Sequence, residues 1–581
     1  MSRASRWTKR KPARAAKRDT SASPSRRAIF VISLIVVSLL AAACTADDAT
    51  TTTAADPGTT PDTTAPAPDT TPDEPDEPDT TSPPDDGPVT VRVGLAPPPA
   101  VGIDPVLIND EAGLSLLGQT AEYLTFSDSE LNLVPVLAES WESNDTLDVW
   151  TFTLRDGATF HDGSPVTAED VVATFNGPIA EGNAGSAYET YGFEAGGAEA
   201  VDERTVQFNL SRPNGAFPFF VSSDNYNAVI LPASFWEGYG EGSYEQSFIG
   251  SGPWINESFD PGVGAVYVKN EDYWGDNGNQ PDRMEVTFFG DEAAMITAFQ
   301  GRSLDVLYRV SFTNAQTLEA GGAMVSSVPT AQHRQLYMDT SAPPFDDVRV
   351  RQAMALMLDR PLLVEGLLGG FGVIGNDHPI WEFYPMYDDG AVSQRSEDLA
   401  AAQALLEEAG YPDGFSSRID TLDFAEISDL AQLIQASAAQ IGVELEVAVH
   451  DSGTYYQDYW CAFPYEGSCE PGAQESMGIV NYGHRGVPDV YLGAPLLSDG
   501  QWNASHWVDT DYDQMFADFT GAPDLETQTE VAGEIQALLW EEVPFLVPYF
   551  IDFISVTVPN FEGLEVTGMG HFRIIDAGFT D

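Results

Sequence analysis

Hydrophobic and polar positions divide the chain into three regimes. Ile29 to Ala43 is a run of 15 residues broken only by Ser33 and Ser38. Thr45 to Pro88 holds almost nothing but Thr, Pro, Asp, Ala and Glu, and shows no apolar periodicity. From Val89 onward, apolar positions recur at strand and helix spacings to the end. Thr90–Leu95 alternates and predicts a first strand. Leu147–Leu154 alternates and runs into Arg155-Asp156-Gly157, a turn signal. Arg204–Leu210 predicts a strand with Val206, Phe208 and Leu210 on one side, and Ala265–Lys269 and Glu285–Phe289 predict two more.

Helical spacing appears in the same region. Thr167-Ala168-Glu169-Asp170 reads as a capping box opening a helix with Val171, Val172 and Phe175 on one face. Asp346 or Asp347 caps a helix burying Val350, Ala353, Met354, Met357 and Leu358. Asp398 caps another, with Leu399, Ala402, Leu405, Leu406 and Ala409 inward and Gly410 as its stop. Ile427–Gln440 predicts a third, running through Gly442 into a strand at Val443–Val449. The folded part is therefore mixed α and β, without internal repeat.

Charge changes the picture. The formal net charge is -64. The first 43 residues carry ten of the 26 basic residues and one of the 90 acidic ones, which leaves 16 basic against 89 acidic. Lys269 is then the only lysine. Such a surface repels nucleic acid and anionic headgroups. It excludes a nucleic-acid partner and fits solubility in a salty medium.

A basic stretch followed by 15 apolar residues is too short to span a bilayer comfortably and suits a signal segment, residues 1–43. Leu39-Leu40-Ala41-Ala42-Ala43-Cys44 is similar to a bacterial lipobox, with Ala41 where Leu is usual. Cys44 is thus the candidate lipidation site, against an ordinary signal with a bystander cysteine or an uncleaved anchor. Ser25-Arg26-Arg27-Ala28-Ile29-Phe30 leaves general secretion and twin-arginine export both open. Residues 44–88, stiffened by proline and extended by like charge, read as a tether. All these readings place the bulk of the chain outside the cytoplasm. There Cys461 and Cys469, eight apart in a Pro- and Gly-containing segment, would pair as a disulfide; two free thiols are the alternative.

Catalytic patterns are absent. The sequence holds no GxSxG, HExxH or P-loop. Gly370-Phe371-Gly372-Val373-Ile374-Gly375 follows a helix rather than a strand, and Pro379 blocks a helix after it, so it is no dinucleotide fingerprint. The seven histidines lack metal spacing. No enzyme, cofactor or metal is expected.

Several blocks resemble the extracytoplasmic solute-binding proteins of family 5, the peptide and nickel binders of ABC importers. They are Ala138-Glu139-Ser140-Trp141; Trp150 to Gly157; Phe160-His161-Asp162-Gly163-Ser164-Pro165-Val166-Thr167-Ala168-Glu169-Asp170-Val171; Gly250-Ser251-Gly252-Pro253-Trp254; Lys269-Asn270-Glu271-Asp272-Tyr273-Trp274-Gly275; Pro344 to Ala353, ending at Leu358-Asp359-Arg360; and Ala404 to Tyr411. They come in family order and cover roughly Val89 to the end.

The resemblance implies an α/β, two-lobed periplasmic-binding-protein-like fold of type II. It implies a first lobe at 89–331 with an extra subdomain near 124–225, a second lobe at 332–548, and a C-terminal return to the first at 549–581. It implies a monomer that takes a small solute, foremost a peptide or peptide-like compound, and delivers it to the permease subunits of an ABC importer while a lipid holds it to the membrane's outer face. A sensor or chaperone-like binder of a sugar, opine or nickel complex is the alternative.

The cleft lining is sought in the aromatic, loop-rich stretch from Tyr455 to Trp507. Candidates are Tyr455, Tyr459, Trp460, Tyr482, His484, Arg485, Asp489, Trp502 and Asn503. Peptide binders of the family place an Asp in the matching 478–490 region to hold the ligand's amino terminus. Here Arg485 stands nearby, to pair with a ligand carboxylate or with a surface acid, and Asp489 is a candidate for a displaced anchor.

Overall fold

The computed structural model describes residues 88–580, apart from 99–101, 109, 182–184, 241, 277, 279 and 461–476. The signal segment, Cys44, most of the tether, and Cys461 and Cys469 lie outside the described residues.

Two large mixed sheets organise the described chain. The first runs, in spatial order, Met324–Val328, Phe553–Thr557, Val306–Leu307, Thr90–Leu95, Arg283–Phe288, Gly264–Lys269 and Trp254–Asp260. Thr90–Leu95 lies parallel to both its neighbours. Val91, Val93 and Leu95 are buried, as expected for a central strand covered on its faces. Gly94 lets a helix close on that strand: a Cβ there would fall 2.7 Å from Leu304 Cδ1 and 2.9 Å from Met295 Cγ, the latter on the helix Glu292–Gln300.

A four-stranded antiparallel sheet is inserted in this lobe, in the order Ala138–Ser143, Val149–Leu154, Thr205–Leu210, Phe193–Asp202. Trp150, Phe152 and Leu154 point inward, so the even positions of the alternating run form its buried face. Leu147, expected in the strand, has φ 56 and belongs to the preceding turn, where the side-chain oxygen of Asn144 accepts the Asp148 and Val149 amides. The rings of Phe152, Phe175, Phe193, Phe208, Phe217 and Phe220 form one aromatic core. The capping box holds: Asp170 accepts the Thr167 amide at 2.8 Å, and its other oxygen accepts the Ala233 amide at 2.8 Å.

The second sheet runs Gly372–Ile374, Tyr549–Ile551, His333–Met338, Met477–Tyr482, Ser416–Leu422 and Glu444–His450. Helices Val348–Leu356, Leu399–Glu408 and Ile427–Gln440 form where the periodicity predicts them, with Asp347 and Asp398 as side-chain caps. Gly372–Ile374 is an edge strand, which accounts for the glycine pattern without a nucleotide.

The chain passes between the two sheets at 328–333 and returns at 551–553. The crossings lie side by side. Ile551 N–H donates to Gln332 O at 2.8 Å and Ser327 Oγ to Asp552 Oδ2 at 2.6 Å. Two adjacent crossings define one rotation axis, the geometry of a hinge.

A buried charge cluster stiffens the second lobe. Asp377 is fully buried, binds both Arg360 (2.6 Å) and Arg395 (3.0 Å), and Arg395 lies 4.2 Å above Trp540. Removing one member leaves buried charge unpaired. Asp377→Ala is therefore expected to lower stability by about 3–5 kcal/mol, read by urea denaturation; a loss below about 1 kcal/mol would show the cluster to be dispensable.

Candidate ligand site between the lobes

The second lobe presents a loop after the strand Met477–Tyr482 to the inserted subdomain. His484, Arg485, Gly486 and Asp489 meet the first lobe there. His484 accepts the Ala331 amide at Nδ1, 2.9 Å, so it touches the hinge crossing itself. Its ring also abuts the C-terminal segment: a Cβ on Gly568 would fall 2.7–2.8 Å from its atoms. Burial and the neighbouring Arg485 push the His484 pKa down to about 3, so the imidazole is neutral and carries its proton on Nε2.

Arg485 is half-buried, its guanidinium 5.2 Å above the ring of Tyr226 in the first lobe. Nη1 donates to the carbonyl of His484 at 2.7 Å, and Tyr384 Oη donates to the carbonyl of Arg485 at 2.6 Å. Among the described residues it forms no direct ion pair. Asp489, fully buried, accepts a hydrogen bond from Asn214 Nδ2 at 3.3 Å across the seam, and its Oδ2 has no partner. Burial raises its pKa to about 6 against the opposing effects of Asn214 and Arg212.

Opposite Arg485 stands Asp224, buried on the first-lobe side beside the Ser127 hydroxyl. Burial raises its pKa to about 7, although Ser127 and Arg485 pull it back. Gly486 packs against this carboxylate: a Cβ there would fall 1.9 Å from Oδ2. Arg212 stacks on Phe516 at 5.3 Å, and Gly215 N–H donates to Thr520 O at 2.8 Å, so the subdomain grips the second lobe on either side.

The remaining candidates are placed as follows. Tyr482 is buried, stacks on His333 at 5.3 Å and 8°, and packs edge-on to Tyr491, with half-buried Trp502 beside it. These rings stand behind the seam loop. Tyr455, Tyr459 and Trp460 gather elsewhere. Tyr455 is fully buried, Tyr459 stacks on His450 at 3.7 Å, and Trp460 meets Tyr456 edge-on at 5.4 Å. Asn503 spends its groups on its own loop, donating to Leu497 O and Trp507 O at 3.1 and 2.8 Å.

Sequence reading missed the first-lobe half of the seam. Asp224 and Tyr226 lie in Ser222-Ser223-Asp224-Asn225-Tyr226-Asn227, a short polar run whose buried residues no surface loop would contain. That combination of polarity and fold position was the available signal.

The fold and this seam define a two-lobed binding protein that closes on a guest. Residues 132–465 match the model of the bacterial extracellular solute-binding proteins, family 5 (middle region). The chain belongs to that family, whose members bind solutes for ABC importers outside the cytoplasm and do not transform them. It is 24% identical over 486 residues to the glutathione-binding protein GsiB of Escherichia coli K12, covering 82% of this chain and 92% of GsiB. It is 24% identical over 516 residues to heme-binding protein A of Haemophilus influenzae, covering 81% and 89%. Among solved structures, HbpA2 from Haemophilus parasuis matches with a TM-score of 0.71 at 22% identity, over 84% of this chain and all of that one. No described helix is long and apolar enough to cross a membrane.

The two seam carboxylates carry a pH consequence. With the lobes apart, water restores each to its ordinary value near 4. Closure raises them to about 7 and about 6. Carboxyls whose pKa rises on closure oppose it increasingly between pH 4 and 7, and most strongly above 7. The unliganded protein is expected to be more closed at pH 5 than at pH 8, seen as a smaller radius of gyration in X-ray scattering. Identical radii would mean that closure does not dehydrate these groups.

Proposed function

We propose that this chain captures a peptide or peptide-like solute between its lobes and hands it to an ABC importer's permease, acting as a monomer tethered through lipidated Cys44. The division into 1–43, 44–88, 89–331 with its insertion near 124–225, 332–548 and 549–581 is part of this reading. The relatives support it in kind: one binds glutathione, itself a peptide, and another heme.

One observation carries the proposal. Arg485 sits half-buried at the seam, stacked on an aromatic ring from the opposite lobe, and forms no direct ion pair with a described carboxylate, Asp224 acting on it only through space. In a chain with 26 basic and 90 acidic residues, leaving a cation without an ion pair at a lobe junction favours a ligand carboxylate over a structural bridge. Tyr482, His484, Asp489 and Trp502 shape the wall around it. Tyr455, Tyr459, Trp460 and Asn503 stand apart from it and are not part of this wall.

A charge-assisted, largely dehydrated contact of this kind contributes about 1.5–3 kcal/mol, so Arg485→Ala is expected to weaken dipeptide binding at least about tenfold. Tryptophan fluorescence on closure gives the readout, since the chain has 11 tryptophans. Unchanged affinity with intact folding would remove Arg485 as an anchor.

A further inference from the structure

The C-terminal segment carries a small hairpin. Glu565–Val566 pairs antiparallel with Phe572–Arg573, and a turn at 567–571 joins them. Thr567 N–H donates to His571 O at 2.9 Å and Gly570 N–H to Thr567 O at 3.0 Å. First-lobe groups hold this turn from behind. Tyr308 Oη donates to Gly570 O, Gln119 Nε2 donates to Phe572 O at 2.9 Å, and His571 Nε2 donates to Ser223 O at 2.9 Å. A shift of the turn would break several of these bonds at once and leave buried polar groups unpaired. Its tip is therefore a fixed point of the first lobe.

Gly568 stands at that tip and faces the second lobe. A Cβ there would fall 2.7 Å from Cε1 and 2.8 Å from both ring nitrogens of His484, so the bare Cα lies against the face of the imidazole. Gly570, two residues on, sits in the left-handed region at φ 91, but Gly568 does not. Its backbone is one that any residue could adopt. What keeps a side chain out is His484. That ring cannot swing aside: its Nδ1 accepts the Ala331 amide of the hinge crossing at 2.9 Å, and Trp381 packs edge-on to it at 6.1 Å and 90°. A rigid tip on one lobe thus meets a pinned ring on the other.

We propose that Gly568 and His484 form the closure stop of this molecule. Contact between them sets how far the lobes turn toward one another, and the missing side chain at 568 is what admits the fully closed state. Non-bonded carbon atoms rest about 3.5 Å apart, so a methyl group at 568 would hold tip and ring about 0.7 Å further apart than they stand. His484 is bonded to the hinge crossing, close to the rotation axis, so a small gap there widens toward the mouth of the cleft. The stop is built wholly from the protein. It gives the closed cleft one height whatever solute fills it, and it is independent of the solute's chemistry.

The test is single-molecule energy transfer on the purified full-length protein. Dyes are carried on non-canonical residues at Val201, exposed on the first-lobe insertion, and at Leu433, exposed on the second lobe. The quantity read is the closest approach of the lobes, first without ligand and then with an equimolar dipeptide pool. Gly568→Ala is expected to cut the time spent at the wild-type limit about tenfold, as overpacking of a closed contact requires. Gly568→Val should abolish that limit and leave a longer one. His484→Ala removes the opposing ring, so the double variant Gly568→Val/His484→Ala should regain the wild-type limit, which a mere folding defect at 568 would not. Should the Gly568→Val protein not fold, Gly568→Ala with and without His484→Ala carries the same test. An unchanged limit in the Gly568 variants would overturn the stop, and so would failure of His484→Ala to rescue them. A pool that shifts nothing in the wild-type protein would count against the peptide reading alone, since the ligand-free limits judge the stop.

Discussion

The cost of taking charge out of water at the junction of two lobes governs this molecule. Burying an unpaired ion is expensive, and the expense falls only when a partner arrives. The seam places Asp224, Arg485 and Asp489 where lobe approach strips their hydration, and supplies incomplete compensation from the protein itself. An empty closed state is thereby penalised and a filled one is not. That difference is what lets a binding protein signal occupancy to an importer through its shape. The two hinge crossings are joined edge to edge by hydrogen bonds.

The recurrent sequence blocks act one step removed from the seam. Glu122, buried at the end of the helix Glu111–Thr120, receives Tyr273 Oη at 2.6 Å, Trp274 Nε1 at 3.0 Å and Ser251 Oγ at 3.2 Å. Burial raises its pKa to about 7 in spite of these donors. One carboxyl thus joins Gly250–Trp254 and Lys269–Gly275 to the residue preceding Tyr123. His161 docks on the same place, its Nε2 bonded to Gly252 O at 3.0 Å, and Asn270 Nδ2 donates to Gly252 O at 3.2 Å. These motifs are mutual fasteners. They hold the first-lobe jaw rigid, which an orienting site requires, and they leave ligand identity to other residues.

The elements were legible because their signals are local. The capping box at Thr167, the aspartate caps and the alternation of Val206 and Phe208 each specify structure within a few residues. Only edges shifted, as at Leu147, where the Asn144 side chain claims the amides a strand would use. The site was half legible. His484, Arg485 and Asp489 follow a strand in an aromatic loop, and that context points to a cleft. Asp224 and Tyr226 come from a distant stretch of sequence, and only folding brings them beside Arg485. No periodicity encodes which face of a turn will meet another lobe. Asn503 shows the converse, since an exposed-looking polar residue among tryptophans is consumed by its own turn.

The acidity of the chain bears on what can reach the seam. Sixteen basic residues against 89 acidic ones after position 43 give the folded part a strongly negative field. At physiological ionic strength that field is screened within about 8 Å, so it acts during the last approach to the crevice. A net anion would be repelled there even with Arg485 waiting inside, and a net cation would be captured unspecifically by surface carboxylates. A solute of zero net charge escapes both penalties. Arginine rather than lysine at 485 suits a half-dehydrated junction, because a guanidinium gives up hydration more cheaply and stacks on Tyr226. The acidic exterior thus acts on a solute by its net charge before the solute reaches the seam.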